Sequence, residues 1–391
     1  MRVLLVTGKG GVGKTSVAAA TARRLAAGGA RTLVLSTDPA HSLADALDVP
    51  LGDEPTSVEG RLDAAQLDGR QRLSDHWEVI RGYLVSLLRW GGVEEVQAEE
   101  LALLPGLDEL FALVDVRRHV DGGVYDALVV DCAPTAETLR LLALPDTLGW
   151  YLEQMFGLER TLARVLRPVL GRTTTMPLPD DEVFGSIDQL YRTLSGVRDI
   201  LLDGAMTSVR LVCNAERVVV AETRRTHTAL ALFGYHVDAV IVNRLLPETI
   251  TDPYFERWKR LQAAHLDDVR QGFGEVCVLT APLLDDELVG VAALDRLGAA
   301  LYDGRDPQAV LSDHEPIRLV RDGDEVLLSL ALPFAARDDV DVFRRADELY
   351  VQVDGHTRSI LLPAQLRRQE VLGAGFEGGR LAVRFAVTPS I

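Results

Sequence analysis

Two lysines and a hydroxyl residue stand at fixed spacing in a glycine-rich segment near the start of the chain. Residues 8–15 have the sequence Gly-Lys-Gly-Gly-Val-Gly-Lys-Thr, which fits the pattern G-x-x-x-x-G-K-[ST]. In this pattern, backbone N–H groups surround a phosphate, the second lysine neutralises the outer phosphates, and the last hydroxyl is offered to Mg²⁺. The sequence therefore predicts a site for a nucleotide phosphate, made by Gly8, Gly10, Gly11, Val12, Gly13, Lys14, Thr15 and Ser16.

Two acidic residues follow apolar segments of β type. Asp38 comes after the segment 31–37, and Asp131 ends the segment 125–131. At such a position, Asp38 can orient and deprotonate a water aimed at a γ-phosphate. The alternative is that Asp38 caps the following helix. Asp131 is placed as a Walker B acid is, next to the Mg²⁺ shell. We therefore expect Thr15, Asp131 and Asp38 around a Mg²⁺ ion.

An asparagine at the end of a later apolar segment is a candidate for base recognition. Asn243 follows the β-type residues 239–242, and its side-chain amide can both donate to and accept from an adenine edge. Guanine-specific P-loop proteins use N-K-x-D, and the position of that aspartate is taken here by Leu246. The sequence therefore favours ATP over GTP.

These residues need a scaffold that brings them to one place. An apolar segment, residues 3–7, precedes the glycine loop, and a helix-forming segment, 16–25, follows it. The start of that helix adds N–H donors and roughly half a positive charge for the same anion. In a doubly wound parallel sheet, ligands bind at the carboxyl ends of the strands. We therefore expect Asp38, Asp131 and Asn243 at that edge.

The first lysine of the loop, Lys9, is additional to an ordinary P-loop. With it, residues 8–15 resemble the deviant Walker A loop of the nitrogenase iron protein, MinD and ArsA class. The resemblance implies that Lys9 reaches a nucleotide in a facing subunit. A cation supplied in this way is worth about 10³ to 10⁵ in rate when it acts as an arginine finger does. The alternative for Lys9 is a solvated loop lysine.

Several longer motifs resemble the ArsA family, whose members are arsenite-pump ATPases and tail-anchored-protein targeting ATPases. The resemblance extends from residue 1 to about 305 and rests on residues 36–43, 104–109, 131–135, 138–142 and 144–145. It implies that Asp38 positions the attacking water, that Asp131 is the switch II magnesium residue, and that Asn243, Pro282 and Leu283 contact the adenine. It also implies that Glu216 touches the nucleotide across a dimer. A solvated helix glutamate is the competing interpretation of Glu216.

The resemblance also implies the fold class. We expect an α/β P-loop NTPase with a mostly parallel, doubly wound sheet over residues 1–308. A helical subdomain is expected at about 60–120 and 147–205. Residues 303–316 have the composition of a linker, and the periodicity of two beyond it predicts a small all-β sandwich at 314–391. Its strands are expected at 317–321, 325–330, 349–353, 357–362 and 381–386. This sandwich resembles the α-crystallin domain of small heat-shock proteins that some ArsA-family members carry. A client-holding role, dimer contacts and a passive scaffold all stay open for it.

Two segments have apolar residues at helical spacing, one at 148–169 and one at 183–201. In targeting members of the family, helices at this position form a groove for a client's membrane helix. The alternative is that both helices pack within their own subdomain. The C-x-x-C zinc pair of targeting members and the duplicated half of the long arsenite-pump ATPases are both lacking. We therefore expect a homodimer that closes without zinc.

The composition excludes some partners. The net charge of -17 repels nucleic acid, and no apolar run approaches the ~20 residues of a membrane helix. Three isolated cysteines, Cys132, Cys213 and Cys277, suggest neither disulfides nor a metalloid site, and a cytoplasmic protein is expected. Among 41 basic residues, the lysines are only Lys9, Lys14 and Lys259.

The sequence therefore predicts a homodimeric, MgATP-hydrolysing ATPase of the ArsA family that handles or targets hydrophobic membrane-protein clients. Two alternatives stay open. One is the ATPase subunit of an arsenite or antimonite efflux system, and the other is a nucleotide-gated scaffold or regulatory protein.

Overall fold

The computed structural model describes residues 1–37, 42–67, 75–94, 97, 107–132, 180–323 and 325–386. The strands are β1 Arg2–Gly8, β2 Thr32–Ser36, β3 Thr56–Glu59, β4 Leu62–Gln66, β5 Ala127–Asp131, β6 Thr207–Asn214, β7 Val237–Leu245, β8 Cys277–Pro282, β9 Ile317–Asp322, β10 Glu325–Ala331, β11 Val340–Arg345, β12 Glu348–Val353, β13 His356–Leu361, β14 Val371–Glu377 and β15 Arg380–Ala386. The helices are α1 Lys14–Ala27, α2 Ser42–Leu47, α3 Asp75–Trp90, α4 Leu107–Gly122, α5 Asp181–Leu202, α6 Arg217–Phe233, α7 Pro253–Gly272, α8 Val291–Tyr302 and α9 Ala364–Arg367, with a 3₁₀ turn at Arg337–Asp339.

Eight strands form one mostly parallel sheet, in the order β3-β4-β2-β5-β1-β6-β7-β8. Only β3 runs antiparallel to its neighbour, β4, within this sheet. All residues of β1, β2 and β5 are buried, as expected for apolar strands that are covered on both faces. The strands between β1 and β6 in sequence lie on one side of β1, and β6 to β8 lie on the other. The order therefore reverses at β1, where doubly wound folds bind ligands.

The helix that follows the glycine loop packs closely on α8. A Cβ atom added at Gly298 would lie 2.9 Å from the carbonyl oxygen of Ala20, so the two helices approach through small residues. The hydroxyls of Thr21 and Tyr302 are 2.7 Å apart and join the helices by a buried hydrogen bond. This packing fixes α1, and with it the loop that leads into the helix.

The chain divides into two compact units. One consists of Met1–Leu67, Gly123–Leu139 and Leu201–Ile391, and the other of Asp68–Gly122 and Arg140–Ile200. Within the second unit, the guanidinium of Arg117 on α4 donates to the carbonyl oxygen of Arg192 on α5 at 3.0 Å. The division resembles the expected helical subdomain, whose limits stay a prediction.

The second predicted amphipathic helix corresponds to α5. The six apolar positions predicted for it are all buried, namely Val183, Ile187, Leu190, Leu194, Val197 and Leu201. The first predicted helix, with apolar positions at 148–169, lies outside the described residues. Within the helices that the structure describes, none is both long enough and apolar enough to cross a membrane.

The C-terminal residues form the expected small β sandwich. One sheet has the order β14-β15-β10-β9, and the other has the order β11-β12-β13. The strands at 317–322, 325–331, 348–353, 356–361 and 380–386 agree with the prediction, whereas β11 and β14 were not expected. Charged residues interrupt β11 and two glycines interrupt β14, so the alternating apolar pattern is weak in both.

The sandwich packs against α6 of the N-terminal α/β region. Leu232 of α6 belongs to the same buried cluster as Leu349 and Phe385 of the sandwich. A guanidinium nitrogen of Arg358 donates to the Leu232 carbonyl, and the hydroxyl of Thr228 donates to the Pro333 carbonyl. The two regions are therefore joined by apolar and polar contacts along one helix.

Candidate nucleotide site

The glycine loop begins where β1 runs against β6. A Cβ atom at Gly8 would lie 2.1 Å from the carbonyl oxygen of Val212, the residue opposite it in the sheet. No side chain fits at this distance. Gly8 therefore lets the loop leave the sheet beside the backbone of β6.

The loop ends at a second restricted glycine. Gly13 has a φ of 92° and caps α1, which begins at Lys14. A Cβ atom at Gly13 would lie 2.5 Å from Nδ2 of Asn243. The left-handed conformation and the close amide both favour glycine at this position.

Asn243 lies against this loop, and only 2% of its surface is exposed. Its Nδ2 donates to the carbonyl oxygen of Val12 at 2.9 Å, and its Oδ1 accepts from the backbone N–H of Arg244 at 2.9 Å. An amide has a second N–H and a second acceptor lone pair. Asn243 therefore contacts the phosphate loop and keeps hydrogen-bonding capacity for a base.

The strand that carries Asn243 is longer than predicted. The sequence suggested that it ends at Asn243, but β7 continues to Leu245. Its pairing with β8 is irregular between Val242 and Leu245, and Arg244 has a φ of 59°. The left-handed residue bends the strand end and directs the Arg244 side chain to the loop, where Nη1 donates to the carbonyl oxygen of Gly11 at 2.9 Å.

The loop lysine and the hydroxyl that follows it lie on the first turn of α1. Only 6% of Lys14 is exposed, and its Nζ is 3.5 Å from the carbonyl oxygen of Lys9. The hydroxyl of Thr15 is 3.0 Å from the hydroxyl of Ser42 at the start of α2. Ser42 was not among the predicted site residues, although it lies in one of the family-like segments.

Asp131 is fully buried at the carboxyl end of β5, between Val6 of β1 and Ser36 of β2. Its backbone carbonyl accepts from the N–H of Thr37 at 3.0 Å. Burial raises the pKa of the adjacent Cys132 thiol to about 12, Asp131 adds to the increase, and Lys14 acts against it. Lys14 and Asp131 therefore both lie close enough to the Cys132 thiol, at the strand ends, to affect its pKa.

These groups fit a hard divalent cation. Mg²⁺ prefers oxygen ligands and keeps several of its waters, so it is commonly held by one or two protein oxygens. A hydroxyl from Thr15 and a buried carboxylate from Asp131 are oxygen donors of that kind. The third expected residue of this group, Asp38, lies outside the described residues.

The candidates for contacts across a dimer both lie near α6. Nζ of Lys9 forms an ion pair with Glu222 of the same chain, at 3.2 Å. Glu216 caps α6 from an exposed position and makes no side-chain capping bond. Glu222 was not predicted, because nothing in the local pattern relates it to the loop.

The residues expected beside the base lie one strand beyond Asn243. Pro282 ends β8 opposite Leu245, and the backbone N–H of Leu283 donates to the Leu245 carbonyl at 2.7 Å. The side chain of Leu283 is 42% exposed. The Asn243 amide on β7 and the exposed Leu283 directly after β8 thus lie at the ends of neighbouring strands.

The family of anion-transporting ATPases represented by ArsA matches residues 1–303. The chain belongs to the ArsA family of ATPases. A second family, the HSP20-like domain found in ArsA, matches residues 323–385. As an ArsA-family protein, the chain hydrolyses ATP, and its C-terminal sandwich is the appended domain.

Relatives of two kinds are similar to this ArsA-family chain. A protein of Chlorobaculum tepidum named as an arsenical pump-driving ATPase is 41% identical, over 98% of this chain and 96% of its own. A protein of Aquifex aeolicus with a similar name is 33% identical, over 95% and 96%. The protein named ATPase get3 of Neurospora crassa is 30% identical, over 77% of this chain and 90% of its own.

Proposed function

We propose that this ArsA-family ATPase is a cytoplasmic homodimer that binds MgATP between its subunits and uses hydrolysis to hold and release hydrophobic membrane-protein segments. The proposal that the chain binds nucleotide rests on one observation. A buried lysine, Lys14, and a buried carboxylate, Asp131, lie at the strand ends around the glycine loop. Gly8, Gly10, Gly11, Val12, Gly13 and Ser16 complete the phosphate site.

The residues of the site divide the work of phosphoryl transfer. The loop N–H groups and Lys14 bind and orient the phosphates, while Thr15 and Asp131 hold the metal ion. Mg²⁺ would neutralise charge that develops on the phosphate oxygens. Asp38 orients the attacking water and accepts its proton, and Asn243, Pro282 and Leu283 surround the adenine.

In this proposal, Lys9 acts on the nucleotide of the partner subunit, with Glu216 as a second contact across the dimer. The ion pair with Glu222 supports a mobile role for Lys9, because 38% of the lysine side chain and 29% of the glutamate side chain are exposed. Pairs with such exposure contribute less than about 1 kcal/mol, so Lys9 can exchange partners at little cost.

A mixing experiment tests the dimeric site. Lys9→Ala and Lys14→Ala chains are each expected to lose ATP turnover. In a mixed dimer, the Lys9→Ala subunit keeps Lys14 and receives Lys9 from its partner, so one complete site forms. Turnover of the mixture should therefore exceed the sum of the two separate variants. Turnover equal to that sum contradicts a role for Lys9 across the dimer.

The client part of the proposal is supported by the 30% identity to the protein named ATPase get3 and by the family's helical subdomain. The buried apolar positions of α5 support the alternative, in which this helix packs within its own unit. The other helix of the expected groove, with apolar positions at 148–169, lies outside the described residues.

A defined client tests this part. The Asp38→Asn chain, which should bind MgATP without turnover, is mixed with a single-span protein that has an apolar C-terminal helix. A matched client carries two aspartates in that helix. Retention of the first client alone supports the proposal, whereas retention of neither favours the scaffold alternative.

The arsenite alternative is favoured by one observation, the names of the relatives that align over almost the whole chain. Thiolates are the ligands that such a site needs, and burial raises the pKa of the Cys132 and Cys213 thiols to about 12. Stimulation of ATP turnover by antimonite, lost in Cys277→Ser, would select this alternative.

A further inference from the structure

Two consecutive carbonyl groups of the P-loop are bound to the end of β7. The carbonyl oxygen of Gly11 accepts from Nη1 of Arg244 at 2.9 Å, and that of Val12 accepts from Nδ2 of Asn243 at 2.9 Å. The donors are neighbours in sequence and lie more than 230 positions from their acceptors. One strand end thus determines the direction of two peptide groups.

The direction of these carbonyls sets the direction of the N–H groups that a phosphate would use. No cis peptide bond occurs in the described part of the chain. In a trans peptide, the N–H of the next residue points opposite to the carbonyl. When the Gly11 and Val12 carbonyls face β7, the N–H groups of Val12 and Gly13 therefore face away from it, as donors for an anion.

The backbone of Arg244 is held in an unusual conformation. Its φ of 59° is left-handed, a conformation that is sterically unfavourable for a non-glycine residue. Three contacts maintain it. The Arg244 N–H donates to Oδ1 of Asn243 at 2.9 Å, and Nε2 of Gln262 on α7 donates to the Arg244 carbonyl at 3.2 Å. Oε1 of Gln262 also accepts from the N–H of Leu246 at 2.8 Å.

Such local strain persists where the surroundings impose it, and it is common at functional sites. Here the left-handed conformation has a specific result, since it turns the Arg244 side chain towards the loop. Nε of Arg244 would lie 3.9 Å from a Cβ atom at Gly13, so the guanidinium lies along both ends of the segment 11–13.

We propose that Arg244 is a positioning residue that sets the P-loop N–H groups for phosphate binding, independently of the base. This inference rests on the proposed phosphate site. Arg244 orients the loop through its hydrogen bond to the Gly11 carbonyl. Asn243 orients it through the Val12 carbonyl and, in the proposed function, also contacts the base. A planar guanidinium keeps donors in fixed directions, and a lysine ammonium does so less well.

The test compares Arg244→Gly, Arg244→Ala and Arg244→Lys in the full chain. Glycine adopts the left-handed conformation without strain, so Arg244→Gly removes the side chain without penalising the fold. Arg270→Ala is the matched control, since it removes an exposed arginine from α7. The ion pair of Arg270 with Asp267 is long, at 3.7 Å. Calorimetry measures the affinities for MgATP and for magnesium tripolyphosphate, which has no base.

We expect Arg244→Gly to weaken both ligands by about tenfold, the range for a hydrogen bond from a charged donor. Its unfolding midpoint should equal or exceed that of the unaltered chain. Arg244→Lys should recover part of the loss, and Arg270→Ala should change neither affinity. Hydrogen exchange of the loop amides should be faster in Arg244→Gly without ligand.

Other outcomes contradict the inference in distinguishable ways. A loss confined to MgATP would place Arg244 at the base or ribose, and unchanged affinities for both ligands would remove it from the site. An equal loss of affinity in Arg270→Ala would mean that the effect of Arg244 is one of general surface charge. If the unaltered chain bound no MgATP, the proposed function itself would fail.

Discussion

The ammonium of Lys9 lies 3.2 Å from the carboxylate of Glu222 in its own chain. The backbone carbonyl oxygen of Lys9 is also 3.5 Å from Nζ of Lys14. One residue of the loop thus contacts the buried lysine through its backbone and a glutamate of α6 through its side chain. Removing the ion pair leaves the loop contact in place, so the two roles can be separated by substitution.

Glu222→Gln should release Lys9 for contacts across a dimer. Because the pair is partly exposed, its loss should strengthen ATP-dependent dimerisation by at most about fivefold at low salt and by less at high salt. Sedimentation at two salt concentrations measures the effect. Glu248→Gln, which removes the pair between the exposed Glu248 carboxylate and Lys259 at 3.6 Å, is the control and should not alter dimerisation. A weaker dimer in Glu222→Gln would contradict the prediction.

Lys14→Ala should lower the affinity for MgATP by about 100-fold or more, because it removes a buried cation that pairs with phosphate. Isothermal titration calorimetry measures this change. The control is Lys259→Ala, which removes a lysine from α7 that contacts Glu248. Tight MgATP binding by Lys14→Ala would argue against the phosphate site.

Arg210→Leu should destabilise the chain by about 3 to 5 kcal/mol, since it removes the hydrogen-bonded cation of the buried Asp238 carboxylate and leaves it only the longer ion pair with Arg2, at 3.7 Å. Both side chains are fully buried, with 3.2 Å between Nε and Oδ1. Arg210 also donates to the Pro307 carbonyl at 2.8 Å, so the variant should loosen the segment that leads to the sandwich. Urea unfolding gives the stability change, and a loss below about 1 kcal/mol would contradict the prediction.

His227 should make the chain sensitive to acid. Burial lowers the pKa of His227 to about 3, and His314 contributes in the same direction. The unfolded chain binds the proton near pH 6.5, whereas the folded chain remains neutral at this position. The stability associated with neutral His227 is therefore complete above pH 6.5 and is lost as the pH falls towards 3.

His227→Phe should remove this dependence. The ring stacks on Phe273 with 5.4 Å between centroids, and within the described structure Nδ1 has no hydrogen-bond partner, so phenylalanine suits the position. Below pH 6.5, the unfolding free energy should fall less steeply, by roughly 1 kcal/mol per pH unit. Unfolding in urea at pH 7.5, 6 and 5 gives the slopes, and parallel slopes for both chains would contradict the assignment.

Much of the fold follows from local patterns. The segment from β1 through the loop to α1 is one continuous stretch, so its apolar strand, glycines and helix formers define it without distant partners. The same holds for Asp131, whose position follows from the end of an apolar strand. The C-terminal sandwich was likewise predicted from a local periodicity of two, whereas the mostly parallel sheet was implied by the resemblance to the ArsA family.

The contacts between distant segments could not be predicted. The bond from Asn243 to Val12 depends on the register of β7 and on the left-handed residue that follows it. The ion pair from Lys9 to Glu222 depends on how α6 packs beside the loop. Similarly, Leu232 has the pattern of an ordinary helix residue, and nothing in its neighbourhood indicates that it joins the core of the sandwich.

Because the chain has only three lysines, few side-chain amines are available for chemical coupling. Lys14 is shielded and the Lys259 side chain is only 14% exposed, so Lys9, at 38%, is the lysine that a reagent meets most readily. A zero-length carbodiimide couples ammonium and carboxylate groups that touch. Coupling of Lys9 to Glu222 within one chain leaves the electrophoretic mass of a monomer, whereas coupling to a partner doubles it. The partner of Lys9 can therefore be followed on a gel as nucleotide is added and consumed.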